Sequence, residues 1–475
     1  MTSTTVTPGR ALPGWLKTGL LAVLVFLLCW GAAIAWWRAG GGEPGAGELV
    51  LVLLALPCAL LLALGLGKRF VMARPAAAAS ADSAGAAASQ AAAASSAPPV
   101  AILAAALRSP HGASPEELTD AIADNKARPD LDPELVDDDG FPVTSARSPD
   151  AVDETVQEEI SDWLAGQDVA APRFSEGQWR ALVLGTTVAR ELAAQAVSAL
   201  VDPDKPSPKL RLVPILPASW TAEQRSAARN WIQHAVSEYG WPSAAIDTPD
   251  LPPASGQTDI STLLGQLAPD GHAGDTARAV LVIACDSHID QELVDQWAST
   301  GTLMTPTRPQ GLVPGEGAAG LLLASLDSAR LVEDAVFAQL HPVLEARREA
   351  SLDTRQRVDS GLMAGLAEGA ARAAGVALSS VTAIAADTDQ RPNRTLELMG
   401  FTSSALPRLD ATLDVAPVGV TFGACGAVPA LAALALARHQ ALAAGAPVLF
   451  ISNQDPLSCC AALVCPPAEA AAPAS

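Results

Sequence analysis

Gly311-Leu312-Val313-Pro314-Gly315-Glu316-Gly317-Ala318-Ala319-Gly320-Leu321-Leu322-Leu323 is the stretch on which the reading of this chain turns. Glycines this closely spaced, with a proline among them, suit a tight turn where only a bare backbone fits. Roughly 25 residues upstream lies Ala279-Val280-Leu281-Val282-Ile283-Ala284-Cys285-Asp286-Ser287, an apolar, β-branched run that ends in polar residues and predicts a buried strand. Downstream a second glycine cluster follows, Gly419-Val420-Thr421-Phe422-Gly423-Ala424-Cys425-Gly426. Its Val420 can neither donate a hydrogen bond to a carbonyl nor carry a proton.

Further out, apolar and turn-forming residues alternate as strands and helices do. Val100 to Leu107 reads as a buried strand, followed by Ser114-Pro115-Glu116-Glu117, a capping serine, a proline in the first helical turn and acids at the dipole's positive end. Leu131 to Gly140 is acidic and reads as a loop. Val152–Leu164, Trp179–Leu200 and Trp220–Tyr239 have helical spacing, and Lys209–Leu216 reads as a strand between the last two. Val332 to Gly369 is helical in pattern, Val381–Ala386 and Val448–Ser452 are strands, and a helix begins at Arg394. Strand–helix alternation of this kind predicts a layered α/β domain. No phosphate loop, dinucleotide fingerprint or internal sequence repeat occurs.

The 475 residues carry a formal charge of −21, which disfavours nucleic acid and anionic lipid as partners of the soluble part. Seven cysteines in a chain of this length do not make a disulfide framework; they read as buried free thiols of a reducing compartment.

The N-terminus predicts a membrane anchor. Thr18 to Trp37 is an uncharged apolar run of about 20 residues with tryptophans at its ends, and Leu49 to Leu66 is a second span kinked by Pro57. Arg10 and Lys17 before the pair, and Lys68, Arg69 and Arg74 after it, place both ends in the cytoplasm. The organisation read from this is a cytoplasmic N-terminus over 1–17, a transmembrane hairpin over 18–66, an Ala/Ser-rich tether over 67–99 and one domain over 100–475. A cleaved signal peptide ending near Ala33-Ile34-Ala35 is the competing reading, and the second span so close behind speaks against it. The Ala-dominated composition suits a GC-rich bacterium, so the expected location is the inner membrane, multi-pass, with the domain in the cytoplasm.

The Gly311–Leu323 stretch closely resembles the Gly-Phe-x-Pro-Gly-Glu-Gly-Ala-Ala segment of β-ketoacyl synthases, condensing enzymes of the thiolase fold, and Asp286-Ser287 matches the Gly-Gly-x-Asp-Ser strand ending of that family at the right distance. Gly419, Gly423 and Gly426 keep the spacing of its Gly-His-Thr-x-Gly-Ala-Ala-Gly loop. The resemblance implies a thiolase-like five-layered αβαβα domain made of two similar α/β halves, preceded here by two transmembrane helices. The family-like loop positions are Asp286, Ser287, Gly315, Glu316, Gly317, Gly419, Gly423 and Gly426.

The groups that do the family's chemistry are missing at the matching positions. Counting back from Asp286-Ser287 puts the nucleophilic cysteine near Gln257, and no cysteine occurs between Pro203 and Ile283. Ala386 stands at the first histidine, Val420 at the second, and Val415 at the lysine. The resemblance therefore implies a synthase-like protein without a catalytic residue, cofactor or metal, dimeric with itself or with an active synthase-like partner, with an acyl carrier protein as a further candidate partner. A divergent acyltransferase or condensing enzyme of lipid or polyketide synthesis, a pure acyl-binding module and a structural part of an envelope or secretion machine stay open. Three weaker constellations remain: a Ser287-His288-Asp286 set, whose adjacent residues should diverge; Cys459, Cys460 and Cys465 as a metal site lacking a second pair; and the charged run Asp387, Asp389, Arg391 and Arg394, read as salt-bridged charges, a partner contact or solvated loop charges.

Overall fold

The computed structural model describes residues 98–467 apart from 168–171, 202–203, 205–206, 250–276, 333–334 and 355–357, together with Trp30. The two expected spans, Trp30 aside, lie outside the described residues, as do the tether up to residue 97 and Gln257. Among the described residues no helix is long and apolar enough to cross a membrane. The chain divides into units Met1–Asp82 and Ser83–Ser475, and the architecture below is that of the second.

Its first half runs β1 (Val100–Arg108), α1 (Pro115–Ala123), β2 (Asp130–Val136), β3 (Pro142–Ser145), α2 (Glu154–Ala165), α3 (Glu176–Leu200), β4 (Lys209–Ile215), α4 (Ala222–Glu238), β5 (Ile246–Asp247), β6 (Ala277–Ser287), α5 (Gln291–Thr300), β7 (Glu316–Ser325) and α6 (Leu326–Arg330). The second half runs β8 (Ala338–Leu340), β9 (Leu344–Arg347), α7 (Gly361–Ala373), β10 (Ala383–Ala386), α8 (Pro392–Ala405), β11 (Val415–Pro417), α9 (Val418–Phe422), α10 (Val428–Ala444), β12 (Val448–Ser452) and β13 (Ser458–Cys465). Helix starts follow the sequence: Ser114 Oγ accepts from Glu117 N at 3.1 Å, and Thr221 with Gln224 forms a reciprocal capping box.

The spatial order of strands is β11-β10-β12-β13-β8-β1-β7-β6-β4-β5, with β9 added on β13. Leaving β9 aside, each half has five strands of this sheet in the same order: third, second, fourth, fifth, first. The directions match too. β4 is parallel to β5 and β6 as β10 is to β11 and β12, while β6/β7 and β7/β1 are antiparallel as β12/β13 and β13/β8 are. The halves join where β1 pairs antiparallel with β8, Ala101 opposite Gln339.

Strand residues alternate between two faces, so each half-sheet has two sides to bury. One side of the first half packs on α3 and α4 through Leu184, Leu192, Trp231, Leu281 and Ile283. One side of the second half packs on α7 and α8 through Leu366, Leu398, Phe401, Ile384 and Leu463. The remaining sides of both share one cluster with α10, whose Leu431, Leu434 and Leu436 meet Val282, Leu321, Phe450 and Val464. Layers of helix, sheet, helix, sheet and helix result, as expected. Helix α10 is apolar around its whole circumference because both half-sheets touch it. Its arginine, Arg438, donates to Ile102 O at 3.0 Å and Leu103 O at 2.7 Å, where the β1/β7 register breaks.

Two expectations are corrected. Val332–Gly369 is not one helix: β8 and β9 occupy its first part and α7 starts only at Gly361. Pro342 lies between the two strands and would remove a helical hydrogen bond and clash with the preceding turn. Leu131–Gly140 is not wholly loop, because β2 pairs antiparallel with β3. Pro133 and the acids masked that strand, which among the described residues has only β3 as a partner.

Candidate functional site

The site is built where the glycine-rich stretches meet at the carboxyl ends of β6, β10 and β12. Ala424 N donates to Val313 O at 2.8 Å, and Pro314 and Ala424 form a parallel bridge. A Cβ on Gly315 would stand 1.8 Å from Phe422 O, so only glycine admits this contact. Gly419 plays the same part against the β10 loop, where a Cβ would lie 1.9 Å from Asp387 O. Gly423 and Gly426 carry the positive φ angles of the turn, and Gly317 lies against the Phe422 ring. Segments over 100 residues apart in sequence are thus locked backbone to backbone.

Glu316 and Ser287 are brought together, but as structure rather than chemistry. Glu316 is fully buried and accepts from Arg180 Nε at 2.8 Å, Arg180 Nη2 at 2.6 Å, Ser148 N at 2.7 Å and Ser287 Oγ at 2.8 Å. The Ser287 hydroxyl is spent on that carboxylate. His288 Nδ1 lies 2.7 Å from Ala424 O; a carbonyl only accepts, so Nδ1 carries the proton. His288 Nε2 is 3.8 Å from Asp286 Oδ2. No Ser287–His288–Asp286 relay forms.

Asp286, His288, Cys285 and Cys425 line a cavity of about 390 Å³ together with Trp297 and Gln454. Burial pushes the Cys285 thiol up to about 12, with the Asp286 charge adding to it, and burial raises Cys425 well above the ordinary thiol range. Cys425 Sγ donates to Asp286 O at 3.4 Å. Neither thiol is disposed to ionise and attack. Burial also raises Asp286, a trend that His288 partly offsets.

The charged run after β10 is buried and ion-paired, so of the alternatives the salt-bridged one holds and the solvated one does not. Arg391 donates to Asp389 through Nε at 2.7 Å and to Gln454 O through Nη2 at 3.1 Å; Arg394, wholly enclosed, donates to Gln454 O and pairs with Asp353. Arg348 pairs with Glu397 at 2.8 Å and donates to Asp455 O at 2.8 Å. Asp387 accepts from Ser452 Oγ at 2.5 Å and Asn453 N at 2.9 Å. Four charged residues therefore pin the 453–458 loop beside the cavity. The isolated Arg348 and the loop Asn453-Gln454 carried no motif by which the sequence would have flagged them.

Ala386 ends β10, Val415 sits in β11 and Val420 in α9. The contact of Gly419 with Asp387 O brings the first and third of these positions into neighbouring loops. Cys459 and Cys460 are successive residues of β13 and point to opposite faces, so they do not converge on a metal. Among the described residues no group of three or more metal-binding side chains occurs.

No family model matches the chain, and no curated protein does. Solved structures do. A ketosynthase from module 1 of the bacillaene synthase of Bacillus amyloliquefaciens FZB42 superposes with a TM-score of 0.53 at 12% identity, over 78% of this chain and 72% of that one. The fold is that of the ketosynthases. A type II polyketide acyl-carrier protein in complex with its ketosynthase bound to the hexaketide gives 0.51 at 12% identity, over 78% of this chain and 99% of that one. The keto synthase–chain length factor PfaC gives 0.50 at 12% identity, over 78% and 43%. At these identities it is the ketosynthase architecture that is shared.

Proposed function

We propose that this ketosynthase-like chain is a membrane-anchored protein that no longer condenses acyl units and acts as a scaffold or partner subunit. One observation carries the reading: the positions that match the family's two histidines and its lysine by the motif spacing hold Ala386, Val420 and Val415. None of these side chains exchanges a proton or polarises a carbonyl. The thiols of the adjacent cavity are buried and held protonated, which supports the same reading. The partner that suits it is a synthase-like subunit, a second copy or an active homologue, with an acyl carrier protein delivering to that partner. The N-terminal apolar runs would hold the assembly at the inner membrane.

Full-length protein in detergent, incubated with malonyl- and acyl-thioesters of an acyl carrier protein, is expected to release no CO₂ and form no ketoacyl product. Turnover that alkylation of Cys285 or Cys425 abolishes would mark it as an enzyme instead. Alkaline carbonate washing of cell membranes should leave the chain in the pellet; its release would remove the anchor from the proposal.

A further inference from the structure

The cavity holds a carboxyl that no lysine or arginine pairs with among the described residues, His288 being its ion-pair partner there. Asp286 is 5% exposed and lines the cavity. The Ser287 backbone N–H hydrogen-bonds its carboxyl and His288 Nε2 stands 3.8 Å from Oδ2. That ring already gives its Nδ1 proton to Ala424 O. The other acid on the wall, Asp389, is matched internally by Arg391, which donates from its backbone N at 3.0 Å and from Nε at 2.7 Å. Among the described residues no lysine or arginine lines the cavity, whereas Leu216, Leu312 and Trp297 do.

A buried carboxyl with one backbone donor and an imidazole beyond hydrogen-bond distance costs free energy, and a donor of opposite charge offsets that cost most fully. Water supplies a donor but not a charge. The space available, about 390 Å³, lies in the range of pockets that enclose small organic molecules. An indole on the wall favours an ammonium over a neutral head group. A carboxylate ligand would meet Asp286 as a like charge.

We propose that this cavity binds a small organic cation, its ammonium against Asp286 and its alkyl part against Leu216, Leu312 and Trp297. This assignment stands apart from the question of condensing activity, because it uses none of the positions at Ala386, Val415 or Val420.

Isothermal titration of the full-length protein in detergent, against a matched detergent blank, tests it with hexylammonium chloride and sodium hexanoate. Hexylammonium is expected to bind saturably with one site per chain, and hexanoate is expected not to bind. Asp286→Asn keeps the shape of the side chain and removes its charge, and should weaken hexylammonium at least about tenfold. Equal binding of the two probes, absence of hexylammonium binding, or unchanged affinity in Asp286→Asn overturns the assignment. The comparison of the two probes on the unaltered chain decides the matter even where the variant folds poorly.

Discussion

The α-carbon of Gly315 lies so close under the carbonyl of Phe422 that a Cβ would stand 1.8 Å from its oxygen. The contact joins the turn before β7 to α9, and with it the first half of the domain to the second. Both partners are backbone, so no side chain can move aside. Gly315→Ala is expected to cost about 3 kcal/mol or more, since overpacking against fixed backbone sits at the upper end of such effects. Gly365 in α7 has open space around it, and Gly365→Ala should be neutral or stabilising by up to about 1 kcal/mol. Urea unfolding of both variants makes the comparison; similar midpoints would refute it.

Glu316 tests whether the acid of the Gly315-Glu316-Gly317 turn is structural. Its carboxylate has four donors and its partner Arg180 is also buried. Glu316→Ala strands the guanidinium and should destabilise by about 3–5 kcal/mol, while the double change Glu316→Leu with Arg180→Met recovers most of the loss. Ser287→Ala removes one donor from a well-supplied acceptor and should cost about 1 kcal/mol. Equilibrium unfolding orders the three variants, and a Ser287→Ala loss as large as that of Glu316→Ala would contradict the assignment.

Much of this was legible in the sequence because glycines are informative where backbones touch. The two glycine stretches and the strand at Ala279–Ser287 placed the family-like loops, and the structure brings them together. The twofold character of the domain lies in strand order and direction, which the sequence does not repeat, so only the resemblance implied it. The error over 332–369 came from weighing apolar spacing above Pro342. The charged run after β10 was left undecided between salt-bridged and solvated because a single sequence does not show that Arg348, 43 residues before Arg391, arrives at the same loop. The Arg180–Glu316 pair was hidden for the same reason: its partners are 136 residues apart.

The cavity thiols give a test independent of any assay of turnover. With the Cys285 thiol raised to about 12, its thiolate fraction at pH 7.5 is on the order of 10⁻⁴ or less. Burial adds a steric barrier. Iodoacetamide at pH 7.5 should leave Cys285 and Cys425 unmodified in the native chain, as peptide mass spectrometry reads it, and modify both in urea. Rapid native labelling of either would mean that the cavity opens in solution and activates the thiol, and would revive the enzymatic reading.

Asp387 predicts a pH dependence whose sign can be worked out. Burial raises its carboxyl from 3.8 to about 6; the hydrogen bonds from Ser452 and Asn453 pull it down and the Asp389 charge pushes it further up. The groups facing it are those two residues and Gln454 N from the chain end of β12, Asp389 from its own loop and the Gly419 backbone from α9. A folded-state value above the unfolded one means that the native fold favours the protonated acid. Its contribution is complete below pH 3.8 and is lost as pH rises to about 6, a change of about 3 kcal/mol at most. Asp387→Asn has no proton to lose and its amide can meet the same neighbours. The stability of Asp387→Asn relative to the parent should therefore climb between pH 4 and 6 and level off above, measured from urea midpoints at each pH. A difference that stays constant across that window would show that the carboxyl ionises in the folded chain as readily as in the unfolded one, and that the hydrogen bonds of the 452–454 segment, rather than burial, govern it.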